Sequence, residues 1–156
     1  MFWLLYNLFA LLDGICDALL YGQRGAESFR WNEHTPLTAR RTAAVAAALG
    51  AAADAVLMPA GGVELGRAMV PYWLLWFLWQ GAAAALSFSL FHNEAYNFGR
   101  VWIQQQQLAR AWQVFRFNYQ SPTTSARFDF DGTVRWVMAA TAGLVMAAGF
   151  ILLAQL

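Results

Sequence analysis

Four apolar runs dominate the sequence, at about residues 2–20, 42–58, 70–91 and 134–156. A run of about 18 or more apolar residues is long enough to cross the hydrocarbon core of a bilayer as a helix. Within that core each backbone N–H and C=O must be satisfied inside the protein, which leaves such a chain few options besides helices. Composition agrees. Of 156 residues, 60% are hydrophobic and 12% charged, where a soluble domain carries roughly 25% charged residues. The expectation is an all-α membrane protein forming a single integral domain over residues 1–156. It has four transmembrane helices, an amphipathic cytoplasmic helix and a short β-hairpin-like turn before the last span.

Arginine sets the expected orientation, because the chain contains no lysine. Arg24, Arg30, Arg40 and Arg41 lie between the first two runs. Arg100, Arg110, Arg116, Arg127 and Arg135 lie between the last two or at their edge. Arg67 alone lies between the second and third. Basic residues concentrate on the cytoplasmic side, so both long connections are expected there and both termini outside the cytoplasm. A net charge of +1, with arginines spread along membrane edges, argues against a nucleic-acid partner. The Ala- and Arg-rich composition fits a bacterial inner membrane. The first run has no basic n-region and no small-residue cleavage site after it, so it reads as a retained span rather than a signal peptide. Cys16 is the only cysteine, which rules out a disulfide within the chain.

Local signals mark the element boundaries. Thr35-Pro36 reads as N-cap and first helical position. Met58-Pro59-Ala60-Gly61-Gly62 stops the second helix, and Pro71 opens the third. Tyr72, Trp73, Trp76 and Trp79 read as an interfacial belt grading into a lipid-facing stripe. Ala46, Gly50 and Asp54, and likewise Ala139, Gly143 and Ala147, recur at four-residue spacing. Such small-residue faces allow close helix approach, so both are expected in interior contacts. Between the third and fourth runs, Phe98, Val101, Trp102, Leu108, Trp112, Phe115 and Tyr119 recur at three- and four-residue steps, with Gln104–Gln107 and arginines between them. This predicts an amphipathic helix over about 93–119, lying on the membrane or continuing the third span.

Asp129-Phe-Asp131-Gly132-Thr133 looks like the nucleophile loop of haloacid-dehalogenase-type phosphatases. That loop needs a parallel sheet and motifs far downstream, whereas only 23 residues follow Thr133 and nearly all are apolar. The stretch reads instead as a hairpin turn at Asp131-Gly132, with Thr133-Val134-Arg135 pairing back on Phe128-Asp129-Phe130.

Polar groups inside apolar runs need partners, because an isolated charge at mid-bilayer costs roughly 2.5–3.5 kcal/mol on insertion scales. Asp13 and Asp17 share one face of the first run. Asp54 and Gln80 are the intramembrane polar residues of the second and third. The topology brings the two histidines to one membrane edge. The expected polar rim cluster is Asp13, Asp17, His34, His92, Asn93, Glu94, Asn97 and Arg100. Within it, Asp17, His34, His92 and Glu94 are the candidate metal ligands, since imidazole plus carboxylate suits zinc, iron or manganese. No H-E-x-x-H spacing, nucleophile–base pair or phosphate-binding glycine loop is present.

Asp17-Ala18, His34, His92-Asn93, Asn97, Arg100, Tyr119-x-Ser-x-Thr-Thr-x-Ala and Asp129 together resemble small polytopic membrane proteins of bacterial and phage genomes that have no assigned function. The resemblance implies no activity. It implies that Asp17, His34, His92, Asn93, Asn97 and Arg100 act as one constellation.

The leading functional expectation is a structural or interaction role in the lipid bilayer, without a cofactor, as a homo-oligomer or with a membrane-protein partner. The alternative is a metal-dependent membrane enzyme using a divalent metal at the cytoplasmic edge. A third reading is a holin-like or ion- and proton-conducting protein, with Asp17, Asp13, Asp54 and Gln80 as a ladder.

Overall fold

The computed structural model describes residues 1–21, 34–118 and 132–155. Among these the chain forms α1 (Phe2–Tyr21), α2 (His34–Leu57), β1 (Gly62–Leu65), β2 (Ala68–Pro71), α3 (Tyr72–Gln105), α4 (Leu108–Val114) and α5 (Gly132–Leu153). Three helices are long and apolar enough to cross a membrane: α1 over Phe2–Leu20, α3 and α5. The second apolar run does form a helix, but it is not among the three. Ten of the 24 residues of that helix are alanine, and Arg40, Arg41 and Asp54 lie within it, so its burial in lipid yields little per residue.

α3 is the organising helix. Trp3 of α1 bonds Gln80, and Gly99 faces Ala18, so α1 and α3 run parallel. Phe2 meets Asp54 and Asp13 meets Arg40, so α2 runs antiparallel to α1. Gly149 of α5 faces Trp79, and Arg135 lies close enough for its charge to act on Glu94, so α5 runs antiparallel to α3. α1 packs on α2 and α3, and α3 also carries α5. Among the described residues α2 and α5 share no packed face, so the helices are arrayed about α3.

The α3–α5 seam is built from large rings over small residues. Trp76, Ala83, Ala142 and Met146 form its buried core, with Trp79 and Val145 packed against it. Trp79 Nε1 donates to the Val145 carbonyl at 2.6 Å, and Trp76 meets Phe150 edge-on. Trp76 and Trp79 are therefore helix–helix contacts and not a lipid-facing stripe. Of the two small-residue faces, that of α2 is turned inward, with Gly50 buried and directed at Leu5. That of α5 is not: Gly143 is exposed with open space around it, and Ala142, Met146 and Gly149 are buried instead.

Two local expectations change. α3 runs without a break through 34 residues to Gln105, so it absorbs the first part of the expected amphipathic helix. Gln106 then adopts a left-handed conformation at φ 54°, and its N–H caps the Trp102 carbonyl. The chain turns there, and α4 folds back so that Trp112 and Phe115 pack on Phe98. The expected hairpin before the last span is also revised. Thr133, Val134 and Arg135 are helical, whereas Asp129 and Asp131 lie outside the described residues. A hairpin does form between α2 and α3, where β1 and β2 pair antiparallel from Gly62↔Pro71 to Leu65↔Ala68. Its two-residue turn starts with Gly66 at φ 65°, a position that tight hairpin turns reserve for glycine.

Candidate functional site

The site is created by the close approach of α1 and α3. Asn7, Ala10, Gly14 and Ala18 form the buried face of α1. A side chain at Gly14 would overlap the His92 carbonyl, and one at Gly99 would come within 2.7 Å of the Ala18 methyl. Backbones can approach this closely only where both side chains are small. Gly14 and Gly99 therefore bracket His92 and bring it to the level of Asp13 and Asp17.

Those three side chains converge. His92 Nε2 lies 3.3 Å from Asp17 Oδ2 and 3.5 Å from Asp13 Oδ2. One donor atom from each of Asp13, Asp17 and His92 falls within 4.8 Å of the others. The aspartates meet because residues four apart on a helix share a face. The imidazole stacks on Phe88, centroids 5.2 Å apart, which fixes its plane. On the other side of Asp13, Arg40 of α2 donates to Oδ1 at 3.0 Å. Of the two carboxylates, Asp13 is paired with the guanidinium, which leaves one negative charge when the imidazole is neutral.

The other rim residues separate from this cluster. Glu94 is two positions from His92 and so points to nearly the opposite side of α3. It is buried and accepts the Asn118 backbone N–H at both oxygens, at 3.1 and 3.2 Å, tying the segment after α4 to α3. It is therefore not placed as a ligand beside His92. Asn93 donates to the Ser89 carbonyl one turn back. Asn97 and Arg100 line a different pocket, with Val101, Gln104, Val114, Phe115 and Arg116. His34 opens α2, and its side chain lies outside the described residues.

Comparison with known proteins finds no family model, no curated protein and no solved structure that matches this chain. Function must therefore be read from the geometry alone.

Asp54 and Gln80 form a second polar group at the opposite end of the α1–α3 seam. Gln80 Nε2 donates to Asp54 Oδ2 at 2.7 Å. Asp54 accepts the Phe2 N–H and the Met1 amino group, and Gln80 Oε1 accepts the Trp3 N–H. The unsatisfied N–H groups that open any helix are met here by side chains from two neighbours. Between the two ends, the Ser87 hydroxyl donates to Asn7 Oδ1 at 2.8 Å and accepts from Trp3 Nε1 at 3.1 Å. Asn7, Ser87 and Arg40 are partners that emerge only in the structure. Trp3, Asn7, Ala10, Gly14 and Ala18 at steps of three and four, and Gln80 with Ser87 two turns on, were the available signals.

Proposed function

We propose that this is a small integral membrane protein that binds a divalent transition metal through Asp13, Asp17 and His92. The observation that carries the reading is the convergence of those three donor atoms within 4.8 Å on two helices held together by glycines. Two carboxylate oxygens and one imidazole nitrogen are a ligand set suited to zinc, iron or manganese. Three protein ligands leave coordination positions for water or a substrate atom. The ring plane held by Phe88 and the carboxylate held by Arg40 supply the outer support that metal ligands require.

The membrane setting proposed is a bacterial inner membrane. The two arginine-rich connections lie on the cytoplasmic side, so that the metal cluster sits near that face. α2 crosses as a fourth helix because α1 covers its Gly50 face. α4 lies at the interface with Trp112 toward lipid.

The test is a metal titration of detergent-purified, chelator-stripped protein, followed by calorimetry and melting temperature with Zn²⁺ and Mn²⁺. One equivalent is expected to bind the wild type and raise its melting temperature. A metal at 100 times its dissociation constant adds about 2.7 kcal/mol of stability. His92→Ala and Asp17→Asn are each expected to weaken binding at least about tenfold. Glu94→Gln is expected to leave it unchanged. Binding should weaken as pH falls, because a proton competes for the imidazole lone pair. A wild type that melts at one temperature with or without metal would overturn the proposal and leave the cluster as a helix-locking ion pair.

A further inference from the structure

A second site lies where α4 folds back on α3. Asn97, Arg100, Val101 and Gln104 of α3, with Phe115 and Arg116 after α4, surround a pocket of about 250 Å³. It shares no residue with the metal cluster. Among the described residues neither Arg100 nor Arg116 has a carboxylate partner within 4.0 Å. Arg100 is braced over the Tyr96 ring at 5.8 Å. Two guanidinium groups and the Gln104 amide make a donor-rich cavity, and paired arginines match the oxygens of a phosphate group.

Position in the membrane says where that phosphate comes from. α5 has 22 residues, about 33 Å of helix, which matches the hydrocarbon thickness. Its first residue, Gly132, packs on Asn118, and Asn118 is bonded to Glu94. The edge of the hydrocarbon therefore falls near Glu94 on α3. Asn97 and Arg100 come one to two turns beyond it, at headgroup depth. Trp112, Phe117 and Trp136 are 59%, 58% and 46% exposed around this level, as aromatic residues are at a membrane interface.

We infer that this pocket binds the phosphate of an anionic lipid headgroup. The exposed rings lie along the lipid surface, and the arginines hold the headgroup at the end of α3. The bound lipid clamps the α3–α4 turn at Gln106 against the span.

Native mass spectrometry of the intact chain in detergent, with phosphatidylglycerol and phosphatidylcholine added in equal amounts, tests the inference. One phosphatidylglycerol is expected to stay bound to the wild type under conditions that strip phosphatidylcholine. The Arg100→Gln/Arg116→Gln double variant is expected to lose that lipid with an affinity at least about tenfold lower. Arg67→Gln, in the hairpin at the other end of the molecule, is expected to retain it. Equal retention of the two lipids by the wild type would overturn the inference, and this comparison stands even where the double variant does not fold. Full retention by a folded double variant would also overturn it. Displacement of the lipid by millimolar inorganic phosphate would reassign the pocket to a soluble phosphate and likewise end the lipid assignment.

Discussion

Asp13 is shared between two helices' side chains. Arg40 holds one of its oxygens at 3.0 Å, and His92 approaches the other at 3.5 Å. Arg40 orients Asp13, but its positive charge also opposes a cation placed between Asp13, Asp17 and His92. Charges in a half-buried setting interact through an effective dielectric well below that of water, and partial exposure reduces the effect. Arg40→Gln keeps a donor for Asp13 and removes the charge. Its expected outcome is a metal affinity several-fold to about tenfold higher, with a lower melting temperature in the absence of metal. A titration showing weaker binding in Arg40→Gln would mean that Arg40 acts chiefly by positioning Asp13. His92 and Asp17 were both legible as candidates because an ionisable side chain beside an apolar run demands a partner. The identity of that partner was not legible, because a chain pattern does not say which residue of a neighbouring helix faces it.

Among the elements, α1 and α3 meet through Gly14 and Gly99, whereas α5 meets α3 through Gly149 and not through Gly143. Gly14 touches the His92 backbone, and Gly99 touches Ala18. Gly143 has nothing within 4 Å of where a Cβ would sit. Gly14→Ala must push the two helices apart, and overpacking a tight contact costs about 1–3 kcal/mol. It is expected to lower the detergent melting temperature and to weaken metal binding together, since it moves Asp13 and Asp17 away from His92. Gly143→Ala is expected to change neither, or to raise stability by up to about 1 kcal/mol through helix propensity. Equal losses in the two variants, measured side by side, would show that the open face of α5 is covered by something in the intact assembly. The four-residue spacing in α2 and α5 looked alike in sequence, yet only α2 uses it. In α5 the face that meets α3 was chosen by Trp76 and Trp79, whose rings fit over Gly149.

The whole molecule is an array in which α3 carries a polar seam on one side and an aromatic seam on the other. α1 supplies the partners of the first, and α5 of the second. Only 17% of the apolar window of α5 is buried, so among the described residues that helix leaves most of its apolar surface uncovered. α2 is the reverse case, a weakly apolar helix held by α1. With helices alternating in direction, Met1 and Leu153 fall at one end of the array, and the α3–α4 turn falls at the other. Reporter fusions after Leu156 and within Gln104–Gln107 are expected to read out opposite sides, the second cytoplasmic. A cytoplasmic signal from both would mean that α5 does not cross, and a cytoplasmic signal from Leu156 alone would mean that the arginine asymmetry misleads.

The sequence by itself determined the helical class, because apolar runs of that length leave the backbone little besides a helix in lipid. It also determined where α2 stops and α3 starts, at Pro59 and Pro71, since proline restricts the backbone locally. It determined that Asp13, Asp17, Asp54 and Gln80 could not stand alone. Only the tertiary structure decided that α3 continues past His92 to Gln105, that Glu94 turns away to the Asn118 N–H, and that Asp54 joins Gln80 rather than the histidine cluster. Those outcomes depend on how far each helix is rotated about its axis and how closely it approaches its neighbour. Rotation and approach are fixed by contacts such as Gly14 on the His92 carbonyl and Trp79 on the Val145 carbonyl, which form between residues far apart in the chain.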